Sequence, residues 1–324
     1  MKNDTDKVKP EPESVVTNKK QTFAEKTAER LIKQLEAGTA PWQLPWEKRP
    51  QEPAYNPTTG KAYRGGNALL LAMEGRADPR WMTYKQAQEN GYQVRKGEKG
   101  TVLQHYNVQS ERIKRDENGS PILDKEGVSI KETIKNARPT ISTFVVFNGS
   151  QIDGLEPLQP PSKHQWQDEQ RVEDMLQNSG AKIDHIEGSS AFYRPASDSI
   201  HMPSKDQFSN AEKYYATVLH ELGHWTGHES RLNRDMTALH GSEEYAKEEL
   251  RAEIASMMIG RTMNIVQDPE QHAAYVGSWI KALQDDPTEI FKAAREAEKI
   301  HTFVMEFDRE IIKVHKPEDI ELEM

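Results

Sequence analysis

Cysteine is absent from the chain, which excludes disulfide bonds and thiolate metal sites and fits a cytoplasmic protein. Any metal would have to be held by histidine and carboxylate side chains. No apolar run approaches the ~20 residues that a membrane-spanning helix needs. Residues 1–20 also lack a hydrophobic stretch, so we expect no signal peptide there. Their Lys, Glu, Pro and Ser content predicts a disordered tail.

The charged residues are unevenly distributed along the chain. The formal net charge is −9. Residues 21–150 nevertheless contain 20 Lys and Arg against 15 Asp and Glu, whereas residues 151–324 contain 18 against 33. This asymmetry indicates different partners for the two halves. We expect that the first half can contact nucleic acid and that the second half repels it.

Gly, Pro and Ser crowd together at residues 148–163, which predicts a domain boundary. We therefore predict a tail at 1–20, a first domain at 21–150, a linker at 151–163 and a second domain at 164–324. Periodicity predicts helices at 23–37, 67–74, 83–90, 166–178, 210–227, 242–259, 269–283 and 287–307, and strands at 101–108, 141–147 and 199–202. The fold class is α+β, a small α+β domain followed by a mostly α domain with a small sheet. The charged stretch 109–139 is expected to leave a hairpin as a long excursion.

The strongest motif is H-E-x-x-H at His220-Glu221-Leu222-Gly223-His224. Residues four apart lie on one face of a helix, so both imidazoles can reach one ion while Glu221 points toward a water on it. Apolar neighbours are typical of a helix buried in the wall of a cleft; they are Tyr215, Val218, Leu219 and Leu222. A chance match would more often fall on an exposed polar helix, so this spacing predicts a metal site.

Glu249 is the best candidate for a third ligand. Thermolysin-like zincins place a ligand Glu on the helix after the motif and a second carboxylate four residues later, and Glu249 and Glu253 reproduce that spacing. Glu253 would then orient a ligand imidazole through a hydrogen bond, although the two roles could be exchanged or the pair could be an acidic helix surface. Glu248 is expected to be solvated. The metzincin extension fails, because Ser230 stands where its last His is needed.

Three protein ligands with an open position are typical of a catalytic zinc rather than a structural one. Such a metal would lower the pKa of its bound water, and Glu221 would serve as the general base and acid in peptide hydrolysis. Possible helpers are Tyr193, Tyr214, His228 and His240. Manganese or cobalt could occupy the same ligands.

Aromatic and basic residues alternate in the first half of the chain. Flat rings for bases and cations for phosphates are what a single-stranded nucleic acid requires. The candidates are Trp42, Trp46, Tyr63, Arg64, Arg80, Trp81, Tyr84, Lys85, Arg95, Lys96 and Lys99. The alternative is that the aromatic residues form the core of a small domain that has few Leu and Ile.

Several segments resemble the ArdC-type antirestriction proteins of conjugative plasmids, and the N-terminal region of plasmid TraC-type primases is similar. They are ERLIKQLEAGTAPWQLPW, YNPTTGKAYRGGNALLL, DPRWMTYKQAQENGYQVRKGEKGT and HELGHWTGH followed by EELRAE. The resemblance runs from about Ala24 to Arg261. It implies a single-stranded-DNA-binding domain joined to a zincin-like metallopeptidase domain, and protection of incoming plasmid DNA from host restriction. Its motif falls on His220, Glu221, His224 and Glu249.

Two other functions fit the same residues. The chain could be a binding protein that coats DNA or occupies a host restriction enzyme, with the metal in a structural role. It could also be a cytoplasmic metallopeptidase whose aromatic first domain recognises a protein substrate. No membrane partner is expected.

Overall fold

A computed structural model describes residues 21–43, 52–158, 165–265 and 275–308. Its helices are α1 (Phe23–Glu36), α2 (Gly65–Met73), α3 (Tyr84–Glu89), α4 (Gln165–Ser179), α5 (Ala211–Trp225), α6 (Glu243–Met263), α7 (Val276–Asp285) and α8 (Glu289–Met305). Its strands are β1 (Tyr55–Asn56), β2 (Lys61–Ala62), β3 (Trp81–Met82), β4 (Gln93–Val94), β5 (Thr101–Ile113), β6 (Lys131–Asn148), β7 (Ile152–Asp153), β8 (Lys182–His185), β9 (Phe192–Arg194) and β10 (Ser199–Met202). The α+β class is confirmed. The predicted tail and the start of the helix at 269–283 lie outside the described residues.

Local signals in the sequence account for the starts of α1 and α3. α1 begins with a capping box in which Thr22 accepts a hydrogen bond from the backbone of Glu25 and the Glu25 side chain accepts one from the backbone of Thr22. Thr83 and Gln86 form the same arrangement at α3. Each box satisfies two backbone N–H groups that would otherwise lack a partner at a helix N-terminus.

The β5–β6 hairpin is much longer than predicted. The two strands pair antiparallel from Thr101↔Val146 to Ile113↔Lys131, with a bulge between Asn107 and Gln109, and β3 pairs with the other edge of β6. Residues 109–113 and 131–139 of the predicted excursion therefore extend the two strands of this hairpin. Beyond the bulge the ribbon is exposed, and the cross-strand ion pairs Arg112–Glu132 and Lys131–Glu111 support its pairing.

The tip of the hairpin, residues 114–130, is held by its own backbone hydrogen bonds. The backbones of Lys114, Ile122 and Ile130 bond to one another in a closed triangle with N···O distances of 2.8–2.9 Å. Two turns connect these three residues. In each turn an aspartate side chain accepts hydrogen bonds from two backbone N–H groups: Asp116 in the first and Asp124 in the second. Such Asx turns explain how a short polar sequence holds a defined shape.

In the second half, β8, β10 and β9 form a three-stranded sheet in which β10 is parallel to β8 and antiparallel to β9. α5 and α6 pack against each other where Gly223 faces Ala252; a β-carbon on Gly223 would lie 3.6 Å from Ala252 Cα. Small residues on both helices permit this close approach, which brings the polar side chains of the two helices together. None of the described helices is both long and apolar enough to cross a bilayer.

The largest hydrophobic cluster combines both halves of the chain. It includes Leu31 of α1, Leu69 of α2 and Ile290 of α8. Trp42 meets Trp279 of α7 edge-on, with ring centroids 5.9 Å apart. The start of the predicted linker also belongs to a sheet, because β7 pairs with β4. The boundaries at 21–150 and 164–324 stay a prediction.

We expect the Trp42→Ala variant to unfold more easily than the wild type. Trp42 is 2% exposed, so its truncation should lower the free energy of unfolding by ~3–5 kcal/mol through lost burial and a residual cavity. Urea denaturation measures the change. Leu239 is 81% exposed, and Leu239→Ala should shift stability by less than ~0.5 kcal/mol. Equal effects of the two variants would contradict a shared core at Trp42.

Candidate metal centre

The first part of the centre is α5. Its N-cap Asn210 accepts a hydrogen bond from the backbone N–H of Lys213 at 2.8 Å, and every residue from Tyr214 to Trp225 is buried. His220 and His224 lie one turn apart, and their Nε2 atoms are 3.1 Å from each other. The helical spacing thus brings both imidazoles to one buried point, as the motif predicts.

The second part is α6, which contributes Glu249. One of its carboxylate oxygens is 3.4 Å from His220 Nε2 and the other is 3.5 Å from His224 Nε2. Ligand atoms of the three residues all lie within 4.8 Å of one another, and all three residues are buried. Two metal–ligand bonds of ~2.1 Å at a tetrahedral angle place the ligand atoms ~3.4 Å apart. The three side chains have that separation.

Each imidazole has a carboxylate on its far side. Glu253 Oε2 lies 3.4 Å from His220 Nδ1, and Glu248 Oε1 lies 3.4 Å from His224 Nδ1. The expectation that Glu248 is solvated is wrong, because it is only 4% exposed. Its charge is balanced by Arg234, whose Nη2 is 2.8 Å from Glu248 Oε1 and whose Nε is 3.2 Å from Oε2.

Arg234 also ties this network to the end of α5. It donates hydrogen bonds to the carbonyl oxygen of Gly223 at 2.7 Å and to Thr226 Oγ1 at 2.8 Å. Sequence reasoning missed Arg234 because it lies in the loop between α5 and α6, where no helical spacing connects it to Glu248. The loop folds back onto α6 in the tertiary structure, and this brings Arg234 to the buried Glu248.

The chemistry of these residues fits a cation. With a hydrogen on Nδ1, His224 donates to Glu248 Oε1, and His220 presents its Nδ1 to Glu253 Oε2 as an ion-pair contact. The Nε2 lone pair of each ring then points toward the other ring. Burial lowers the pKa of His224, but Glu249 and Glu248 more than offset this effect and raise it to about 9. The carboxylates therefore favour a positive charge at this point, and a divalent metal ion would supply it.

Glu221 and the three candidate ligands line one side of a cleft of about 540 Å³. Its other walls come from the β9 edge of the sheet, the loop after α5, helix α6, and Tyr275 at the start of α7. The lining side chains there include Phe192, Tyr193, Phe208, Asp235, Met236, Tyr245 and Tyr275. The cleft thus gives an extended ligand access to the point where the imidazoles meet.

Of the four suggested helper residues, only Tyr193 is in the cleft wall. Its hydroxyl donates to Asp198 at 2.8 Å, whereas the Tyr214 hydroxyl is 3.1 Å from His185. Sequence reasoning missed Tyr245 and Tyr275, whose hydroxyl oxygens are 3.4 Å apart. Burial and Glu249 raise the pKa of Tyr245, so it stays a proton donor. Its position one turn before Glu249 was the available signal.

The structure separates the candidate DNA-binding residues into two groups. Trp42 and Trp81 are each 2% exposed and belong to hydrophobic clusters, so the prediction that they stack on bases is wrong. Tyr63 packs beside Trp81, donates its hydroxyl to the Trp81 carbonyl at 3.1 Å, and has a pKa that burial raises to about 12. Arg80 is held by Asp78 at 2.8 Å and by the Glu156 carbonyl at 2.7 Å. Trp46 lies outside the described residues.

The remaining candidates reach the surface. Tyr84 is 49% exposed, and Arg64 and Lys85 have largely exposed side chains. Lys96 and Lys99 are exposed as well. Arg95 is half-exposed and contacts Glu98 and Asp153. Ring type alone could not distinguish core from surface, because Trp and Tyr serve both.

We expect Glu248→Gln to weaken metal binding about tenfold, the lower end of the effect of losing a partner that orients a ligand imidazole. The substitution keeps the shape but removes the charge beside His224. A competition titration of Zn²⁺ and Mn²⁺ against a chromophoric chelator measures the dissociation constants. Glu244→Gln is the matched control, because Glu244 is an exposed acid on the same helix. Equal affinities of the two variants would show that Glu248 does not orient the ligand.

Known proteins resemble both halves of the chain. Residues 21–147 match the family model of the N-terminal domain of the anti-restriction factor ArdC, and residues 170–296 match that of a zincin-like metallopeptidase. Two proteins of Escherichia coli named DNA primase TraC are 57% identical over 91% of this chain. The chain spans only 20% and 28% of their lengths. The uncharacterized protein y4eC of Sinorhizobium fredii is 34% identical over 85% of this chain and 89% of its own.

The fold also matches solved structures. The metal-free crystal structure of the antirestriction protein ArdC from plasmid R388 has a TM-score of 0.68 at 34% identity, and its Mn(II)-bound structure has a TM-score of 0.66 at 33% identity. Each match covers 89% of this chain and 98% of that protein. Because the similarity extends over nearly the whole of a protein of known structure, the chain belongs to the family of ArdC-type antirestriction proteins.

Proposed function

We propose that this protein binds single-stranded DNA, carries a metallopeptidase-type site with a divalent metal, and protects incoming plasmid DNA from host restriction during conjugation in the cytoplasm. The observation that carries the proposal is the buried convergence of His220, His224 and Glu249 beside Glu221. A fold shared with an antirestriction protein supplies the biological setting. A host restriction enzyme, or a protein associated with it, is the partner that this setting suggests.

The proposed metal is zinc, with manganese as the main competitor. Two imidazoles and one carboxylate form the ligand set of many catalytic zinc sites. The same set binds Mn²⁺ when that ion is abundant, since metal choice depends on availability as well as on affinity. The Mn(II)-bound structure of the R388 protein supports a divalent ion in this family.

Glu221 is the proposed general base. His220, His224 and Glu249 would hold the zinc, which would polarise a carbonyl and lower the pKa of a bound water. Glu221 is 7% exposed and lines the same cleft as the ligands. Its carboxylate would accept the proton of the attacking water and deliver it to the leaving amine. Tyr245 stays protonated because burial and Glu249 raise its pKa, so its hydroxyl is a hydrogen-bond donor beside Glu249.

The charge of the cleft favours a peptide over a nucleic acid as its ligand. Its lining residues include Glu221, Asp235 and Glu249, and neither lysine nor arginine occurs among them in the part of the chain that the structure describes. Phosphate groups would meet carboxylates there, at a cost in energy. DNA and a peptide substrate would therefore use different surfaces, with DNA on the basic first half.

Metal content tests the ligand set. We expect about one equivalent of zinc or manganese in the purified wild-type protein, and its loss in His220→Ala and in Glu249→Ala. Mass spectrometry of the dialysed proteins measures it. Glu253→Ala should retain the metal with weaker affinity, because Glu253 lies behind His220. Loss in Glu253→Ala but not in Glu249→Ala would exchange the two roles.

Glu221→Gln tests whether peptide hydrolysis matters. The variant should keep its metal but lose protection, because glutamine cannot accept the proton. The measurement is the frequency of plasmid transfer into restricting recipients relative to non-restricting ones. Expression of each variant is the control. Full protection by a metal-loaded Glu221→Gln protein would refute catalysis and leave a protein that protects by binding alone.

A further inference from the structure

The β5–β6 hairpin has one face in the core and the other face exposed. On the inner face Leu103 and Val146 are fully buried. On the outer face the cross-strand pair Val102–Val145 is 40% and 42% exposed, and the pair Tyr106–Ile141 is 51% and 56% exposed. We name this outer surface, from Tyr84 and Phe147 at its base to Tyr106 and Ile141, the ribbon face. Apolar pairs left in solvent on a well-ordered sheet indicate a binding surface.

Aromatic rings stand at both ends of the ribbon face. Tyr106 donates its hydroxyl to Gln104 Oε1 at 3.1 Å, which holds the ring along the strand while half of it stays exposed. Tyr84 contacts the edge of Phe147 with ring centroids 6.4 Å apart. Phe147 lies on the same face as Val145, two residues along β6. The seven residues from Ile141 to Phe147 span ~20 Å, a length that suits about four nucleotides.

The segments of β5 and β6 that form the ribbon face contain no carboxylate. In a chain with 52 acidic residues among 324, Asp and Glu are absent from residues 99–110 and from residues 133–152. The same segments contain Lys99, Lys135 and Arg138, all exposed. Beyond Ser110 the ribbon becomes mixed in charge, since Glu111 and Glu132 pair with Lys131 and Arg112. Only the proximal part therefore presents a surface that phosphates meet without repulsion.

We infer that the ribbon face is the surface on which the protein binds single-stranded DNA, with Tyr106 and Tyr84 stacking on bases and Lys99 and Arg138 contacting phosphates. This inference rests on the proposed function. Unpaired bases offer flat faces to exposed rings and apolar side chains, and the contact tolerates any sequence. A duplex hides those faces, so a short single strand binds this surface more tightly than a duplex of the same length.

Binding of a fluorescein-labelled oligo(dT), followed by fluorescence anisotropy with the full chain, tests the inference. Tyr106→Ala weakens binding roughly 5- to 150-fold, the loss expected for one stacked base. Tyr106→Phe recovers most of that loss because it keeps the ring. Leu123 is 53% exposed at the tip of the same hairpin, and Leu123→Ala is the matched control that binds like the wild type. Thermal melts verify that each variant is folded.

A second measurement addresses the charges. Lys99→Gln and Arg138→Gln each reduce the slope of log K against log salt by about 0.7, the value for one phosphate contact on a single strand. If the wild type binds oligo(dT) and every ribbon-face variant binds it as tightly as Leu123→Ala does, the ribbon face alone is overturned. The variants compared are Tyr106→Ala, Tyr84→Ala, Lys99→Gln and Arg138→Gln. Absence of oligo(dT) binding by the wild type overturns the DNA-binding function and the ribbon face together.

Discussion

Five ionisable side chains are buried at the contact between α5 and α6, and the need to balance their charge governs the surrounding structure. His220 and His224 meet Glu248, Glu249 and Glu253 in an interior where an uncompensated charge is costly. Arg234 neutralises Glu248, and Glu253 and Glu248 lie behind the imidazoles of His220 and His224. The remaining negative charge favours a cation between the two rings. The small residues Gly223 and Ala252 at the helix crossing serve this centre, because the ligands meet only if the two backbones approach closely.

The two halves of the molecule differ in charge while sharing a core. The cleft beside the metal site is lined with acids, and the proximal hairpin has none on its strands. A phosphate chain and a peptide would thus be directed to separate surfaces by electrostatics alone. The shared hydrophobic cluster holds those surfaces in a fixed relation. Under the proposed function, DNA and a protein target would therefore not compete for one site.

Regular spacing was the part of the sequence that predicted structure well. Imidazoles four residues apart on an apolar helix, and acids four apart on the next one, specify a meeting point whatever the loops do. Burial was harder to predict. The indoles of Trp42 and Trp81 carry the same sequence signal as an exposed ring, and only tertiary packing decided their place. Glu248 looked solvated because its arginine partner is 14 residues away in an irregular loop. The hairpin was underestimated because charges on a solvent-exposed ribbon obscure the alternation that identifies strands.

The packing of α1 and α2 onto α7 and α8 limits how recombination can divide the gene of this protein. The backbone N–H of Gly65 is bound by Glu298 at 2.8 Å, and Phe23 stacks on Phe291. A cut between the halves would leave apolar helix faces bare on both pieces. Recombination that preserves a folded product must therefore move both halves together. The TraC primases are in keeping with this, because their similarity to the chain runs through both halves within much longer proteins.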